Sequence, residues 1–261
     1  MPILDKFKLD GKVAVVTGGA GRFGRQMTRA LAEAGATVYT ASRNLEPNEK
    51  YAAELRAEGW DVLADSYDQS DEASDEAFAE RLFEKHGKVD VLVNNSVLRP
   101  MHDYHASADV FLESLKVNGS GLFAITRAFG DRMAKQGSGS IINIGSYMGI
   151  LGMDETLYEG LPHMSAIGAP DYFYHKGGMT NLTRFIAAVY GKYGVRCNCL
   201  ELGGLFNNQD PKFLERYGAR TFLGRMASED DVGGMIVYLA SDASLYVTGA
   251  AIPIDGGYSA K

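Results

Sequence analysis

Tyr172 and Lys176 stand four residues apart in Tyr172-Phe173-Tyr174-His175-Lys176, and no other tyrosine of the chain has a lysine at that spacing. Residues 177–192 carry Met179, Leu182, Phe185, Ile186 and Val189 at helical intervals. On a helix, positions i and i+4 share a face, so the ammonium of Lys176 is expected beside the phenol of Tyr172. A free tyrosine has a pKa of about 10, and a nearby cation favours the phenolate. Such a pair can exchange a proton with an alcohol or a carbonyl near neutral pH. The alternative is a pair on a helix surface with no chemistry, and the rest of the chain must decide between them.

A second group of residues could hold the other reactant. Val13–Thr17 is a short apolar run without alternation, as in a strand buried on both faces. It leads into Thr17-Gly18-Gly19-Ala20-Gly21-Arg22-Phe23-Gly24, and Phe23, Met27, Ala30, Leu31 and Ala34 then recur with helical period. Strand, glycine loop and helix N-terminus form the arrangement that holds a dinucleotide pyrophosphate. A second strand over 37–40 ends in Ala41-Ser42-Arg43-Asn44, with no carboxylate for ribose hydroxyls. Arg43, helped by Arg22, is suited to a 2′-phosphate, which favours NADP(H) over NAD(H). Two solvated arginines are the alternative.

These groups need a scaffold. Helices are expected over 46–58 and 71–86, and strands over 61–65 and 89–93, the latter ending in Asn94-Asn95-Ser96. A long helix over 107–135 places Asn118 among apolar residues, where it needs partners. A strand over 140–144 delivers Ser146 at its carboxyl end. Residues 149–170 lack periodicity and hold Asp154, Glu155, Tyr158, Glu159 and His163. A loop this long is usually functional or mobile. Beyond Tyr172 come a buried strand over 195–200 with Cys197 and Cys199 as packing residues, and a loop at 202–206. A helix over 211–217, a helix over 228–240 opened by Ser228 and Asp231 as a capping box, and a last strand over 250–254 complete the chain. Alternating strands and helices mean an α/β fold with a doubly wound parallel sheet of about seven strands and helices on both faces. One Rossmann-type domain is expected over 1–261, with an insertion around 149–170 on the substrate side.

Composition narrows the partners. The 261 residues are 46% hydrophobic and 23% charged, which suits one α/β domain. A net charge of −7 argues against nucleic acid and anionic membranes. No apolar run approaches the roughly 20 residues of a membrane span, and residues 1–10 have no signal-peptide core, so the cytoplasm is expected. His102 and His105 have no obvious third ligand, and no metal site is expected.

Taken in order, these motifs resemble the short-chain dehydrogenase/reductase family in its compact one-domain form, over essentially the whole chain. The glycine loop is similar to the family's Thr-Gly-x-x-x-Gly-x-Gly, with Arg22 at the usual middle glycine. Asn94-Asn95-Ser96-Val97 resembles its Asn-Asn-Ala-Gly, and Asp255-Gly256-Gly257 resembles part of its C-terminal signature. Leu202 stands where the family has a proline. The interval from Ser146 to Tyr172 is about twice the usual one. The resemblance implies a catalytic tetrad of Asn118, Ser146, Tyr172 and Lys176. Tyr172 would be the general acid/base, Lys176 its activator and a ribose ligand, Ser146 a donor to the substrate oxygen, and Asn118 the holder of a relay water. It also implies a cofactor site. Gly18, Arg22 and Phe23 would lie at the phosphates, Ser42 and Arg43 at the adenosine ribose, and Asp65 and Ser66 at the adenine. Asn94 and Ser96 would lie at the adjacent ribose, and Gly203 and Leu205 at the nicotinamide. The implied assembly is a homotetramer or homodimer.

The expected activity is interconversion of a secondary alcohol and a ketone with NAD(P). The carboxylates of the 149–170 loop, with Tyr158 and His163, suit a hydroxylated substrate such as a sugar, polyol or sugar acid. A lid or subunit contact is the other use of that loop. Two alternatives stand beside this. One is a 3-oxoacyl thioester reductase for an acidic carrier, with Arg99, Arg127 and Arg132 as basic candidates. The other is a non-catalytic nucleotide-binding sensor or scaffold, since fold does not imply function.

Overall fold

The computed structural model describes residues 2–161, 164 and 169–260. Seven parallel strands form one sheet in the order β3-β2-β1-β4-β5-β6-β7. They are β1 (Val13–Thr17), β2 (Thr37–Ala41), β3 (Val62–Asp65), β4 (Val91–Asn94), β5 (Gly139–Ile144), β6 (Val195–Leu202) and β7 (Ala251–Ile254). The sheet is continuous apolar backbone covered on both sides, which is why its strands show no hydrophobic alternation. The period of two survives in what each residue touches. Ala14, Val16, Val38, Val93, Ile142 and Leu200 pack against α1 (Arg22–Glu33), α2 (Leu45–Ala57) and α8 (Gly233–Ala240). Val13, Val15, Tyr39, Leu92, Ile141 and Cys197 face α3 (Glu72–His86), α5 (Leu122–Gln136) and α6 (Pro170–Tyr190). Cys197 and Cys199 are fully buried, and burial raises both thiol pKa values.

The chain winds outward from β1 to β3, then returns to start β4 on the other side of β1. The two crossovers leave β1 and β4 in opposite directions and open a crevice at their carboxyl ends. The glycine loop and Asn94-Asn95-Ser96 both fall there.

The expected long helix over 107–135 is not continuous. It consists of α4 (Ala108–Leu115), a π-helical turn at Lys116–Gly121, and α5. Three causes are local. Gly119 and Gly121 weaken the helix, and a Cβ at Gly121 would run into the Gln69 carbonyl. Gln69 Nε2 donates to the Val117 carbonyl oxygen (3.1 Å). The Asn118 side chain turns out of the helix to bond the backbone of Leu98. Helical periodicity alone does not register one widened turn.

Two further expectations are corrected. The helix expected from 228 begins at Gly233. Asp231 accepts bonds from Ser228 N and Oγ, but it also pairs with Arg225, and the intervening residues form turns. On α6, Met179 and Ile186 are buried, whereas Phe185 and Val189 are exposed. α4 (8 residues), α7 (Pro211–Arg220) and the short turns at Tyr147–Gly149 and Glu155–Leu157 frame the crevice.

Asp75, in the first turns of α3, is fully buried, and neither carboxylate oxygen has a partner. Burial, reinforced by Asp71, Asp68 and Glu72, pushes its pKa up to about 8. The folded state therefore holds a proton that the unfolded chain releases near pH 4. Its contribution to stability is present below pH 4 and is lost as pH rises towards 8. Replacing Asp75 by Asn removes this ionisation. Urea unfolding should show the variant gaining on the wild type between pH 5 and pH 9, and a constant difference across that range would refute the assignment.

Candidate active site

At the end of β1 the chain enters the glycine loop with Gly18 at φ +63°, a left-handed conformation that favours glycine. The Gly18 N–H donates to the Ala41 carbonyl (2.7 Å). The amide of Asn95 braces the loop, donating to the carbonyls of Thr17 and Gly18 (3.0 Å each). In return, Thr17 Oγ1 accepts from the N–H groups of Asn95 and Ser96. α1 begins at Arg22 behind an extended Gly21 with no side-chain cap, so its leading N–H groups are available to an anion. Gly24 lies against the Gly18 carbonyl with no room for a Cβ. Arg22, at the family's usual glycine position, has ordinary helical backbone and costs no strain. With the Asn207 amide oxygen turned towards it, its guanidinium donates at 3.1 and 3.3 Å.

A cavity of about 1020 Å³ runs from this loop across the carboxyl edge of the sheet. Gly18, Arg22, Phe23, Ser42, Arg43, Ser96, Gly203 and Leu205 line it, as do Ser146, Tyr172 and Lys176. Four other expected site residues do not. The Asp65 carboxylate accepts from Ser66 N (2.7 Å) and pairs with Arg81 (3.0 Å), and Tyr67, Asp68 and Gln69 line the cavity in place of Asp65 and Ser66. The Asn94 amide donates inward to Thr126 and Asn143. Asn118 sits beneath the lining, accepting from Leu98 N (2.9 Å) and donating to Leu98 O (2.6 Å) and Ser114 Oγ (3.0 Å). It therefore fixes the segment that carries Arg99.

The residues expected to handle the proton meet where β5, β6 and α6 converge. Lys176 is buried, and its Nζ donates to the Ile144 carbonyl (2.5 Å). The same Nζ lies 5.7 Å from the Tyr172 ring centroid. Ser146 Oγ accepts from Met148 N (3.2 Å), which leaves its own proton for a ligand. The Arg99 guanidinium stands over the Tyr172 ring, 4.4 Å from its centroid. His175 packs edge-on to the same ring, buried and with neither nitrogen bonded. Burial, with the charges of Lys176 and Arg99, pushes its pKa down to about 3, so it is neutral at working pH.

Sequence reasoning missed Glu201. Its side chain is fully buried on β6, accepting from Ser146 N (2.8 Å) and Thr180 Oγ1 (2.6 Å). A charged residue inside Cys199-Leu200-Glu201-Leu202 was the available signal. The substrate end was missed as well. Tyr147, Met148, Tyr158, Met164, Phe213, Tyr217 and Met226 form an aromatic and methionine wall there. Phe213 and Tyr217, one turn apart on α7, carried a helical-face signal. The carboxylates of the 149–170 loop do not build this wall. Asp154 is taken by Arg220 (2.5 Å) and Thr156, Glu155 and Glu159 are exposed, and His163 lies outside the described residues. Of the three basic candidates, Arg127 pairs with Glu72 and Arg132 with Glu76, and only Arg99 reaches the cavity. Among the described residues, no cluster of His, Cys, Asp or Glu is arranged to hold a metal, and no helix is long and apolar enough to cross a membrane.

The profile described as Enoyl-(Acyl carrier protein) reductase matches residues 19–259. The chain is 32% identical over 258 residues to the L-rhamnose 1-dehydrogenase (NAD(P)(+)) of Sphingomonas sp., covering 95% of this chain and 96% of that protein. It is 33% identical over 261 residues to the galactitol 2-dehydrogenase (L-tagatose-forming) of Cereibacter sphaeroides, with 97% of each covered. Its structure is similar to that of a gluconate 5-dehydrogenase from Burkholderia cenocepacia in complex with NADP and tartrate. The TM-score there is 0.89 at 29% identity, over 99% of both chains.

Replacing Glu201 by Leu strands two buried donors, each costing about 1–3 kcal/mol. Thermal unfolding should show a clear fall in midpoint for Glu201→Leu and a smaller one for Glu201→Gln, which keeps one acceptor oxygen. An unchanged midpoint in the Leu variant would contradict this role.

Proposed function

The chain belongs to the short-chain dehydrogenase/reductase family, and on that premise we propose that it is an NADP-preferring oxidoreductase interconverting a secondary alcohol and a ketone on a sugar, polyol or sugar acid. The observation that carries this reading is the convergence of Tyr172, Lys176 and Ser146 on a cavity continuous with the glycine loop. The dehydrogenase activities of its relatives support the substrate class.

The residues present fit a nicotinamide dinucleotide. The uncapped N-terminus of α1 and the braced loop suit a pyrophosphate. Arg43, beside Ser42 at the end of β2, and Arg22 suit a 2′-phosphate. Ser42 is held in place by Asn48 Nδ2 (2.7 Å), which also donates to Asn44 O (2.8 Å). The chemistry such a cofactor supplies when bound is hydride transfer. The side chains manage the proton. In the oxidative direction the phenolate of Tyr172 takes the hydroxyl proton of the substrate, and in the reductive direction the phenol returns it. Ser146 Oγ donates to the same substrate oxygen. Lys176, anchored on the Ile144 carbonyl, keeps a cation near the phenol through the cycle. Neutral His175 fills the space behind the ring without adding charge. Asn118 acts from beneath by holding the loop at Leu98. The acyl-thioester alternative needs a basic surface at the cavity mouth, and the pairing of Arg127 and Arg132 with carboxylates leaves only Arg99 of its three basic candidates there.

One titration tests both halves of this reading. NADPH should bind more tightly than NADH by nicotinamide fluorescence, and Arg43→Ala should weaken NADPH about 10-fold or more, as loss of a charge-assisted contact does. Tyr172→Phe should retain NADPH binding and lose about 10²- to 10⁴-fold in kcat. Tighter NADH binding would refute the cofactor preference, and retained turnover in Tyr172→Phe would refute the mechanism.

A homotetramer or homodimer belongs to the same proposal. Leu112, Phe123, Phe185 and Val189 are exposed apolar side chains on α4, α5 and α6, a liability for an isolated chain. Sedimentation equilibrium should give an oligomer for the wild type and a smaller species for Phe185→Glu. A monomeric wild type would refute it.

A further inference from the structure

The charges lining the cavity are one-sided. Among the described residues, Arg22, Arg43, Arg99 and Lys176 face it, against one carboxylate, Asp68, in a chain whose net charge is −7. Three of the cations have work in the proposed function. Arg22 and Arg43 sit at the phosphate end, and Lys176 is anchored beside Tyr172. Arg99 is left over. No carboxylate and no hydrogen-bond acceptor among the described residues takes its guanidinium. Yet it is not a free surface arginine. Its root is fixed by the two bonds between Asn118 and Leu98, and its Cζ lies over the Tyr172 ring, 4.4 Å from the centroid. Its charge acts on Tyr158 and His175, which puts it at the substrate end and beside the 149–170 loop.

A guanidinium so placed presents a fork of N–H donors with no hydrogen-bond partner among the described residues, and such a fork matches a carboxylate. The aromatic and methionine wall that makes up the rest of the substrate end offers no second cation among the described residues. We infer that Arg99 binds a carboxylate of the substrate, and that the substrate is therefore a hydroxy acid of the aldonate type. This rests on the reading of the site as a secondary-alcohol dehydrogenase and narrows its substrate class. The geometry is self-consistent. An anion on Arg99 neutralises the surplus cation, and the stacked guanidinium holds that anion within one side chain of the phenol that exchanges the proton. A linear polyhydroxy acid bound by its carboxylate then presents a fixed carbon of its chain to Tyr172 and Ser146, whereas a neutral polyol lacks that anchor. The aromatic wall packs against the C–H face of the chain.

The test uses a charged and a neutral substrate with the same carbon skeleton, gluconate and glucitol, with NADP⁺. It also uses the titration of L-tartrate into NADP⁺-saturated protein by calorimetry. Wild type, Arg99→Leu and Arg99→Lys are compared. The expected result is a higher kcat/KM for gluconate than for glucitol in the wild type. Arg99→Leu should lose about 10- to 100-fold on gluconate, the size of a charge-assisted pair, and distinctly less on glucitol. Arg99→Lys should recover part of the loss on gluconate, which separates a charge from mere packing. Tartrate binding should disappear in Arg99→Leu. Equal losses on the two substrates, or turnover of glucitol but not gluconate by the wild type, would overturn the inference while leaving the dehydrogenase reading intact. Turnover of neither would count against the proposed substrate class, and the tartrate titration then decides on Arg99 alone. Binding lost in Arg99→Leu upholds the site. Equal affinity in both proteins, or no binding to the wild type, overturns it.

Discussion

Polar backbone at the carboxyl edge of a buried parallel sheet must be satisfied by protein side chains, and much of this structure follows from how that demand is met. Asn95 closes the glycine loop onto β4. Asn94, Asn143 and Thr183 link in a buried row across β4, β5 and α6. Lys176 takes the Ile144 carbonyl, and Glu201 takes the Ser146 N–H two residues on. Left unmet, each such group would cost about 1–3 kcal/mol. The result is a rigid floor on which Ser146, Tyr172 and the glycine loop are held in register.

The same demand explains a helix that breaks. Asn118 and Gln69 draw a π-helical turn between α4 and α5, because the Asn118 amide bonds out of the helix to Leu98 and the Gln69 amide reaches in to the Val117 carbonyl. The turn gives up regular hydrogen bonding and gains control of Leu98 and its neighbours. Sites of this kind often lie at such turns. Here the controlled segment carries Ser96 towards the glycine loop and Arg99 towards Tyr172.

The cavity is cationic inside an acidic protein, and its two ends differ in character. The loop end has arginines, backbone N–H groups and a helix dipole, all of which attract anions. The other end has tyrosines, methionines and Phe213, whose burial raises the pKa of Tyr147 and pushes that of Tyr217 up to about 12. These phenols are neutral at working pH. Ser146 and Tyr172, to which the proposed proton exchange is assigned, lie between these two ends.

Local patterns in the sequence determined a good deal. Val13–Thr17 followed by glycines identified the first strand and its loop, because apolar runs and glycine punctuation are short-range signals. The i, i+4 relation of Tyr172 to Lys176 held because helical geometry alone sets it. The alternation of strands and helices was enough for a parallel sheet with two helical layers. What only the tertiary structure decided involves contacts between distant segments. Nothing near Asp65 in sequence shows that Arg81 draws its carboxylate aside. Periodicity over 107–135 could not reveal a π-helical turn caused by Gln69 and Leu98. The carboxylates of the 149–170 loop read as substrate ligands until Arg220 claimed Asp154, and the wall supplied by α7 read as an ordinary amphipathic helix. Glu201 and Arg99 were visible as letters, but their meaning lay in partners 55 and 21 residues away in one case, and in the other in a ring 73 positions on with no hydrogen-bond acceptor for the guanidinium among the described residues. Spacing along the chain fixes what neighbours on one element can share, whereas charge compensation and burial depend on which elements the fold brings together.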